Sequence, residues 1–417
     1  MLPITNVTII GAGPYGLSLA AHLKHSKIDF RIIGSPMRTW RTHMPKGMFL
    51  KSAGISATLF DPKNQFSLKQ YCLNHNIPYE DEGLPISLEL FTKYGLAFQN
   101  HFAPNLEDTK LRSLQTCEEG FLLELDTEVK FKSRHVVLAV GIDYFRNLPP
   151  PIYQLSKDFY SHSAEHHELE KFIDKKVIVI GSGSSAIDMA VLLHEIGAFP
   201  TLIARRQALN FGQKEGWSRN FIGRIFAPMS GLGPGWFNLF CAKAPNLFRY
   251  LPNKLRCKLV KEFLGPSGGW FIRKRLQPVK VLLGRVLVSA NESNGVANLV
   301  FKNNKGELEN FQADHVVTAT GYKAELKRMS FLSKNIQGSL ELINETPKLS
   351  ADFESSIPGL YFAGPTTATT FGPVMRFAVG AGFASKVISK RLAKQLIQSP
   401  VPDSNSAACS TTQSIPY

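Results

Sequence analysis

Two short glycine loops hold most of the chemistry that can be read in this chain of 417 residues. The first is Gly11-Ala12-Gly13-Pro14-Tyr15-Gly16, and the second is Gly181-Ser182-Gly183-Ser184-Ser185-Ala186. The spacings G-x-G-x-x-G and G-x-G-x-x-A suit a diphosphate. The first glycine permits a tight turn, the second lets the backbone approach the phosphates, and the third small residue lets helix and strand pack closely. The phosphate oxygens then face free N–H groups and the positive end of a helix dipole. Pro14 and Tyr15 in the first loop, with Ser184 and Ser185 in the second, complete two sets of candidate cofactor contacts. The strand after the second loop ends in Arg205-Arg206, 24 and 25 residues beyond Gly181. Guanidinium groups there suit a ribose 2′-phosphate and select NADPH over NADH. The strand after the first loop ends in Gly34-Ser35, so the carboxylate that commonly grips a ribose hydroxyl is absent.

Such loops act only between a strand and a helix. Asn6–Ile10 is a short apolar strand before the first loop, a helical pattern through Leu17, Ala20, Ala21 and Leu23 follows, and Phe30–Ile33 is the next strand. Lys176–Ile180, Ile187–Ile196 and Thr201–Ala204 repeat that order 170 residues later. The expected fold class is therefore α/β, with two Rossmann-like dinucleotide-binding domains and parallel sheets covered by helices. Apolar strands ending in glycine at 135–141 and 314–321 flank the second unit and predict crossings between the domains. The expected division is a first FAD-binding part at 1–150 and an inserted NADPH domain at 151–314. The FAD domain resumes at 315–398, and a disordered Ser/Pro/Thr-rich tail follows at 399–417. A long helix is expected from Val374 to about Ile397. Two dinucleotide folds in one chain mean electron transfer between two cofactors, FAD in the first and NADPH in the second.

Composition narrows the function classes. Hydrophobic residues make up 44% and charged residues 19%, the balance of a globular chain. The five cysteines, Cys72, Cys117, Cys241, Cys257 and Cys409, form no C-x-x-C pair. That excludes a disulfide framework, a cysteine-rich zinc site and a sequence-local redox dithiol, and points to a reducing cytoplasmic compartment. No metal site is expected. No run approaches the ~18–20 apolar residues of a membrane span.

Of the formal net charge of +15, the segment Lys214–Arg285 carries +12, with 14 Lys or Arg against Glu215 and Glu262. A helical insertion is expected at about 211–280, broken by prolines and glycines. It interleaves Trp217, Trp236, Trp270, Phe221, Phe226, Phe237, Phe240, Phe248 and Phe271 with basic residues. Three readings stand: a peripheral contact with anionic lipid, a lid over an apolar pocket, or a helical insertion with its own small core. Nucleic-acid binding is disfavoured because the rest of the chain is close to neutral.

With these motifs in place, the chain resembles the two-dinucleotide-domain flavin-dependent monooxygenases, over most of residues 5–395 apart from the basic segment. The two loops carry the resemblance. So do Trp40 after the first ribose strand, Ala319-Thr320-Gly321-Tyr322 between the domains, and Gly364-Pro365 near the flavin ring. Trp40–Tyr71, with Met44–Leu50 and Asp61-Pro62, is most similar to the amine N-hydroxylase branch. In the linker pattern F-x-G-x-x-x-H only His162 matches, with Ser156 and Asp158 at the other two places. The resemblance implies FAD reduction by NADPH, reaction with O2, and oxygen transfer from a flavin C4a-(hydro)peroxide to a small-molecule substrate, with N-hydroxylation favoured. It implies cofactor contacts at Trp40, Gly321, Tyr322, Gly364 and Pro365, and offers Lys51, Ser52 and His162 as catalytic candidates. The alternative is an NADPH-dependent flavoprotein reductase or oxidase, membrane-docked or not. A third reading is a flavin-binding regulatory protein, prompted by the missing ribose carboxylate.

Overall fold

The computed structural model describes residues 2–212 and 225–398. Lys214, Trp217, Arg219, Phe221 and Arg224 of the basic segment, Cys409, and the tail expected at 399–417 lie outside the described residues.

The first unit starts with β1 (Ile4–Ile10), whose Val7, Ile9 and Ile10 are buried. After the first glycine loop comes α1 (Pro14–His25), buried at every position from Pro14 to Ala21. A helix apolar on all sides must be covered on all sides. Here the sheet lies on one side and the C-terminal helix on the other. β2 (Phe30–Ile33) pairs parallel with β1. Next are α2 (Arg38–Thr42), α3 (Leu68–Asn74) and α4 (Leu88–Phe102). The last two are capped by Ser67 and Ser87, whose hydroxyls accept the N–H groups of Gln70 and Leu90. β3 (Leu111–Cys117), β4 (Gly120–Leu125) and β5 (Lys130–Leu138) form an antiparallel meander. The far half of β5 turns parallel to β1 on one side and to the strand Leu360–Phe362 on the other. The first sheet is thus completed by chain that returns after the second unit.

That unit contains β6 (Tyr160–His162), β7 (Lys176–Ile180), α5 (Ser184–Glu195), β8 (Phe199–Ala204) and β9 (Lys280–Leu283). The meander β10 (Val286–Ser293), β11 (Val296–Lys302) and β12 (Leu308–Ala313) leads to β13 (His315–Thr318). The five-stranded sheet runs β6-β13-β7-β8-β9, all parallel. Alternation along β7 explains its unbroken apolar run. Val177 and Val179 enter the core under α5, while Ile178 and Ile180 enter a second core against the meander. A strand buried on both faces needs no polar residues. The chain is therefore two Rossmann-like units, the second inserted in the first.

Two local expectations change. β13 pairs with β6 and β7, so the boundary expected before residue 315 falls inside the second sheet and moves to about residue 320. The expected helix from Val374 begins only at Ala381; 3-10 turns occupy Pro373–Arg376 and Ala378–Gly380. There the Tyr15 hydroxyl shares its one proton between the Met375 and Phe377 carbonyls, both 2.9 Å away, turning that bend towards a side chain rather than a helical ladder. Phe377 is left extended between the turns.

The basic insertion sits between β8 and β9, with helices Trp236–Lys243, Pro245–Phe248 and Asn253–Glu262. Cys241, Phe248 and Arg256 are buried beneath it, and Phe248 packs 3.1 Å from the position a Cβ on Gly372 would take. Among the described residues no helix is long and apolar enough to cross a membrane, and no three His, Cys, Asp or Glu side chains are grouped to hold a metal.

Candidate functional site

The three glycines of the first loop do three different jobs. Gly11 adopts φ +111°, and a Cβ there would lie 2.3 Å from the Ala139 carbonyl oxygen. A Cβ on Gly16 would lie 1.8 Å from the Gly11 oxygen. Those two glycines are demanded by packing. Gly13 is different: a Cβ there would meet nothing nearer than the Trp40 ring at 3.8 Å, so its missing side chain leaves open space. That space is part of a cavity of about 280 Å³. Pro14 opens α1 without an N–H to spare. The next N–H groups of the helix have no intrahelical partner, no side chain caps them, and no acidic residue stands in the first turn. This cradle fits a dinucleotide diphosphate.

Of the expected flavin-side residues, Gly11, Gly13, Pro14, Tyr15, Trp40 and Pro365 line the cavity. Gly16 lies beneath it, and Gly364 backs onto the Tyr15 ring at 3.5 Å. Trp40 is held by an edge-on contact with Phe91 at 5.4 Å. Gly321 and Tyr322 are not on the cavity. The Gly321 oxygen accepts the Asn147 N–H at 2.9 Å, and Tyr322 packs against His162 at 5.2 Å.

The place of the missing ribose carboxylate is now visible. Gly34 sits at φ +136°, and a Cβ there would come within 3.3 Å of Gly11 Cα and Ala12 N, so a side chain there would be strained. Ser35, Arg38, Thr109 and Lys110 line that end instead. Asp143 lines the cavity as well, receiving a hydrogen bond from Thr39 at 3.2 Å and facing His43 Nε2 at 3.4 Å. Burial opposes its ionisation, but His43, Arg38 and Thr39 outweigh that and hold the carboxyl below its ordinary range. Nothing in local spacing marks Lys110, Asp143 or Arg376 as site residues, because they come from distant parts of the chain that meet only in the fold.

The second loop repeats the design. Gly181 adopts φ +155°, and a Cβ there would lie 2.3 Å from the Ala319 oxygen; Ala186 is wholly buried beside it. Gly183 precedes α5, with Ser184 and Ser185 as its first residues. The Ser184 hydroxyl donates at 2.9 Å to Asp188, a buried carboxyl that burial pushes up to about 7 against the opposing pull of Ser184 and Arg275. The hydroxyl proton is thus directed inward, and the loop offers its backbone N–H groups outward. Arg205 and Arg206 are exposed at the end of β8.

The insertion ties both loops together. Pro266 lies 3.2 Å from the Cβ position of Gly183, and Ile187 of α5 lies 2.9 Å from that of Gly268. Lys51 donates to Ser267. Arg376, on the cavity wall, donates to the oxygens of Val260, Phe263 and Leu264 at 2.8–3.0 Å, where a helix end welcomes a cation. Burial, reinforced by Arg376, lowers the proton affinity of Lys51.

The catalytic candidates therefore separate. Lys51 stands at the junction of cavity, insertion and second loop, although it does not line the cavity. Ser52 makes no hydrogen bond among the described residues and does not line the cavity. His162 is a structural pin. Its Nδ1 accepts the Ala164 N–H at 3.2 Å, so the ring proton sits on Nε2 and faces the Gly321 oxygen at 3.3 Å. Burial lowers its pKa to about 4 and keeps the ring neutral.

Comparison with known proteins gives three overlapping likenesses. A probable indole-3-pyruvate monooxygenase, YUCCA7 of Arabidopsis thaliana, is 22% identical over 375 residues, covering 81% of this chain and 78% of that protein. A ferredoxin–NADP reductase of Symbiobacterium thermophilum is 24% identical over 370 residues, covering 86% and 84%. The structure of ornithine hydroxylase PvdA from Pseudomonas aeruginosa superposes with a TM-score of 0.75, covering 94% of this chain and all of that one at 15% identity, a likeness of fold. The family model for pyridine nucleotide-disulphide oxidoreductases matches residues 8–219. That span takes in both glycine loops and more than half of the chain, and the protein is accordingly an oxidoreductase that belongs to the pyridine nucleotide-disulphide oxidoreductase family.

Proposed function

We propose that this oxidoreductase is an FAD- and NADPH-dependent monooxygenase that hydroxylates the nitrogen of a small amine. One observation carries the reading. The first loop bounds an open cradle, and the second loop meets the same region through Pro266 and Ser267, with no cysteine among the described residues on the cavity wall. Cys72, Cys117, Cys241 and Cys257 are free thiols, as a reducing cytoplasmic setting would keep them, and none is placed to relay electrons to a disulfide. The N–H groups after Pro14 would hold the FAD diphosphate, with Ser35, Arg38 and Lys110 at the adenosine ribose and Pro365 towards the flavin ring. The N–H groups of Ser184 and Ser185 would hold the second diphosphate, with Arg205 or Arg206 at the 2′-phosphate. FAD, when bound, supplies hydride acceptance and the activation of O2. The chain's own part is to exclude water and position the substrate. Trp40, Arg376 and Phe377 line the cavity, Arg376 ties its wall to the insertion, and Lys51 supplies a nearby amine of lowered proton affinity. An amine substrate is supported by the likeness to an ornithine hydroxylase across 94% of the chain.

The likeness to a ferredoxin–NADP reductase supports a second reading, a flavoprotein that passes electrons on without oxygenating anything. One assay separates the two. The holoenzyme is given NADPH, isotopically labelled O2 and a panel of diamines and amino acids. One labelled oxygen in a hydroxylamine per NADPH consumed supports the monooxygenase. NADPH consumption that returns all oxygen as peroxide with every amine, alongside rapid ferredoxin or quinone reduction, supports the reductase.

A further inference from the structure

The outer face of the insertion has no role in the cavity. From Ile225 to Lys261 seven large hydrophobic side chains are exposed, led by Tyr250 at 78%, Phe226 at 76% and Trp236 at 62%, with Ile225, Leu247, Leu255 and Phe237 at 53%, 53%, 41% and 39%. Over the same stretch there is no Asp or Glu. Lys243, Lys254, Lys258 and Lys261 are exposed, Arg249 is half-exposed, and none of the five has an ion-pair partner among the described residues. Elsewhere acids are interspersed with the cations, and several pair. Arg31 pairs with Glu107, Lys69 with Asp81, Lys132 with Glu119, Arg275 with Glu195, and Arg285 with Glu309.

The inner side of the same stretch is firmly held. Cys241 and Phe248 are buried, Phe237 meets Phe263 edge-on at 4.7 Å, and Arg376 grips the end of the helix Asn253–Glu262. The exposed aromatics are therefore presented by an anchored element.

We propose that this face docks the protein on an anionic phospholipid bilayer. A bilayer surface asks for both features at once. Trp and Tyr rings settle at the headgroup boundary, and uncompensated lysines meet the negative leaflet. Their aliphatic stems add apolar contact while the ammonium groups stay at the phosphates. An acidic protein partner would satisfy the charges but leave seven scattered apolar side chains without matched pockets. The proposal does not rest on the identity of the substrate or on oxygenation.

The test is sedimentation of the full-length holoprotein with vesicles of phosphatidylcholine alone or mixed equally with phosphatidylglycerol. Binding to the anionic vesicles only, released by ~1 M salt, is expected. K254A/K258A/K261A should weaken that binding by about a hundredfold, near fivefold for each lysine. W236S/Y250S should weaken it while leaving the flavin spectrum and melting temperature unchanged. As a check independent of these multiple variants, bromine-labelled anionic lipid should quench tryptophan fluorescence in the wild type and less in W236F. Protein that stays in the supernatant, or that pellets equally with neutral vesicles, overturns the proposal. So does a self-association that W236S/Y250S abolishes while no vesicle binding occurs, since the face would then join two copies of this chain.

Discussion

Replacing Asp188 by Asn should change the pH dependence of stability in a calculable way. Asp188 is 2% exposed, and its one hydrogen-bond partner is the Ser184 hydroxyl. Burial lifts its pKa from 3.8 to about 7, so between those values the folded protein holds a proton that the unfolded chain has released. With more protons bound in the folded state, stability falls as pH rises through that window. At 1.36 kcal/mol per tenfold change in proton affinity, the full loss is roughly 4 kcal/mol, of which about 3 kcal/mol lies between pH 5 and pH 8. Asparagine accepts the same Ser184 hydrogen bond and cannot ionise. Its amide hydrogens, left without acceptors, add a constant cost of roughly 1–3 kcal/mol that does not vary with pH. The assay is urea unfolding of wild type and D188N, free of nucleotide, at intervals from pH 5 to pH 8. The variant should gain on the wild type by about 3 kcal/mol across that range. Other titrating groups are common to both proteins and cancel in the difference. A difference that stays constant with pH would refute the reasoning, because Asp188 would then not be a buried carboxyl that titrates near neutrality.

Three further outcomes follow from the same geometry. Gly13→Ala should fold normally yet lose most of its flavin, because the new methyl enters the cradle, whereas Gly16→Ala should unfold the loop by collision with the Gly11 oxygen; flavin content and circular dichroism of the purified proteins distinguish the two. Arg205→Ala should raise the KM for NADPH by tenfold or more, on the order of one charge-assisted hydrogen-bond pair, and leave that for NADH little changed; an equal effect on both coenzymes removes the 2′-phosphate role. His162, His166 and His315 are held neutral by burial, with pKa values lowered to about 4, 3 and 4. The unfolded chain takes up their protons first, so they make the fold sensitive to acid. Their contribution is complete above pH 6.5 and is lost as pH falls from 6.5 towards 4, and His166→Phe should flatten that acid limb in a melting-temperature series.

The basic insertion shows where reading from sequence stops. Its charge and aromatic content were plain, and three roles fitted them equally. The parts of the segment lie differently: residues 264–269 lie near the second loop, Cys241 and Phe248 are buried, and Phe226, Trp236 and Tyr250 are exposed. The deciding contacts, Arg376 to Val260 and Lys51 to Ser267, join residues 116 and 216 positions apart. His162 likewise looked like a site residue because it matched a motif position. Its neutral ring turns out to hold the crossing at Gly321.

The amino-acid sequence by itself determined the two phosphate cradles and the α/β units around them. Each cradle is a contiguous strand, turn and helix, so its requirements are local: a positive φ at Gly11, no side chain at Gly13, a small residue at Gly16 or Ala186. Apolar runs buried on both faces fixed the parallel strands for the same local reason. Only the tertiary structure decided which residues line the cavity beside Gly34, which of Lys51, Ser52 and His162 stands near it, and where the last helix begins. Those answers depend on residues brought together from distant parts of the chain and on one buried hydroxyl, that of Tyr15, reaching carbonyls 360 and 362 positions away. Spacing along the chain carries no record of such contacts, because they exist only once the two sheets have closed around their cores.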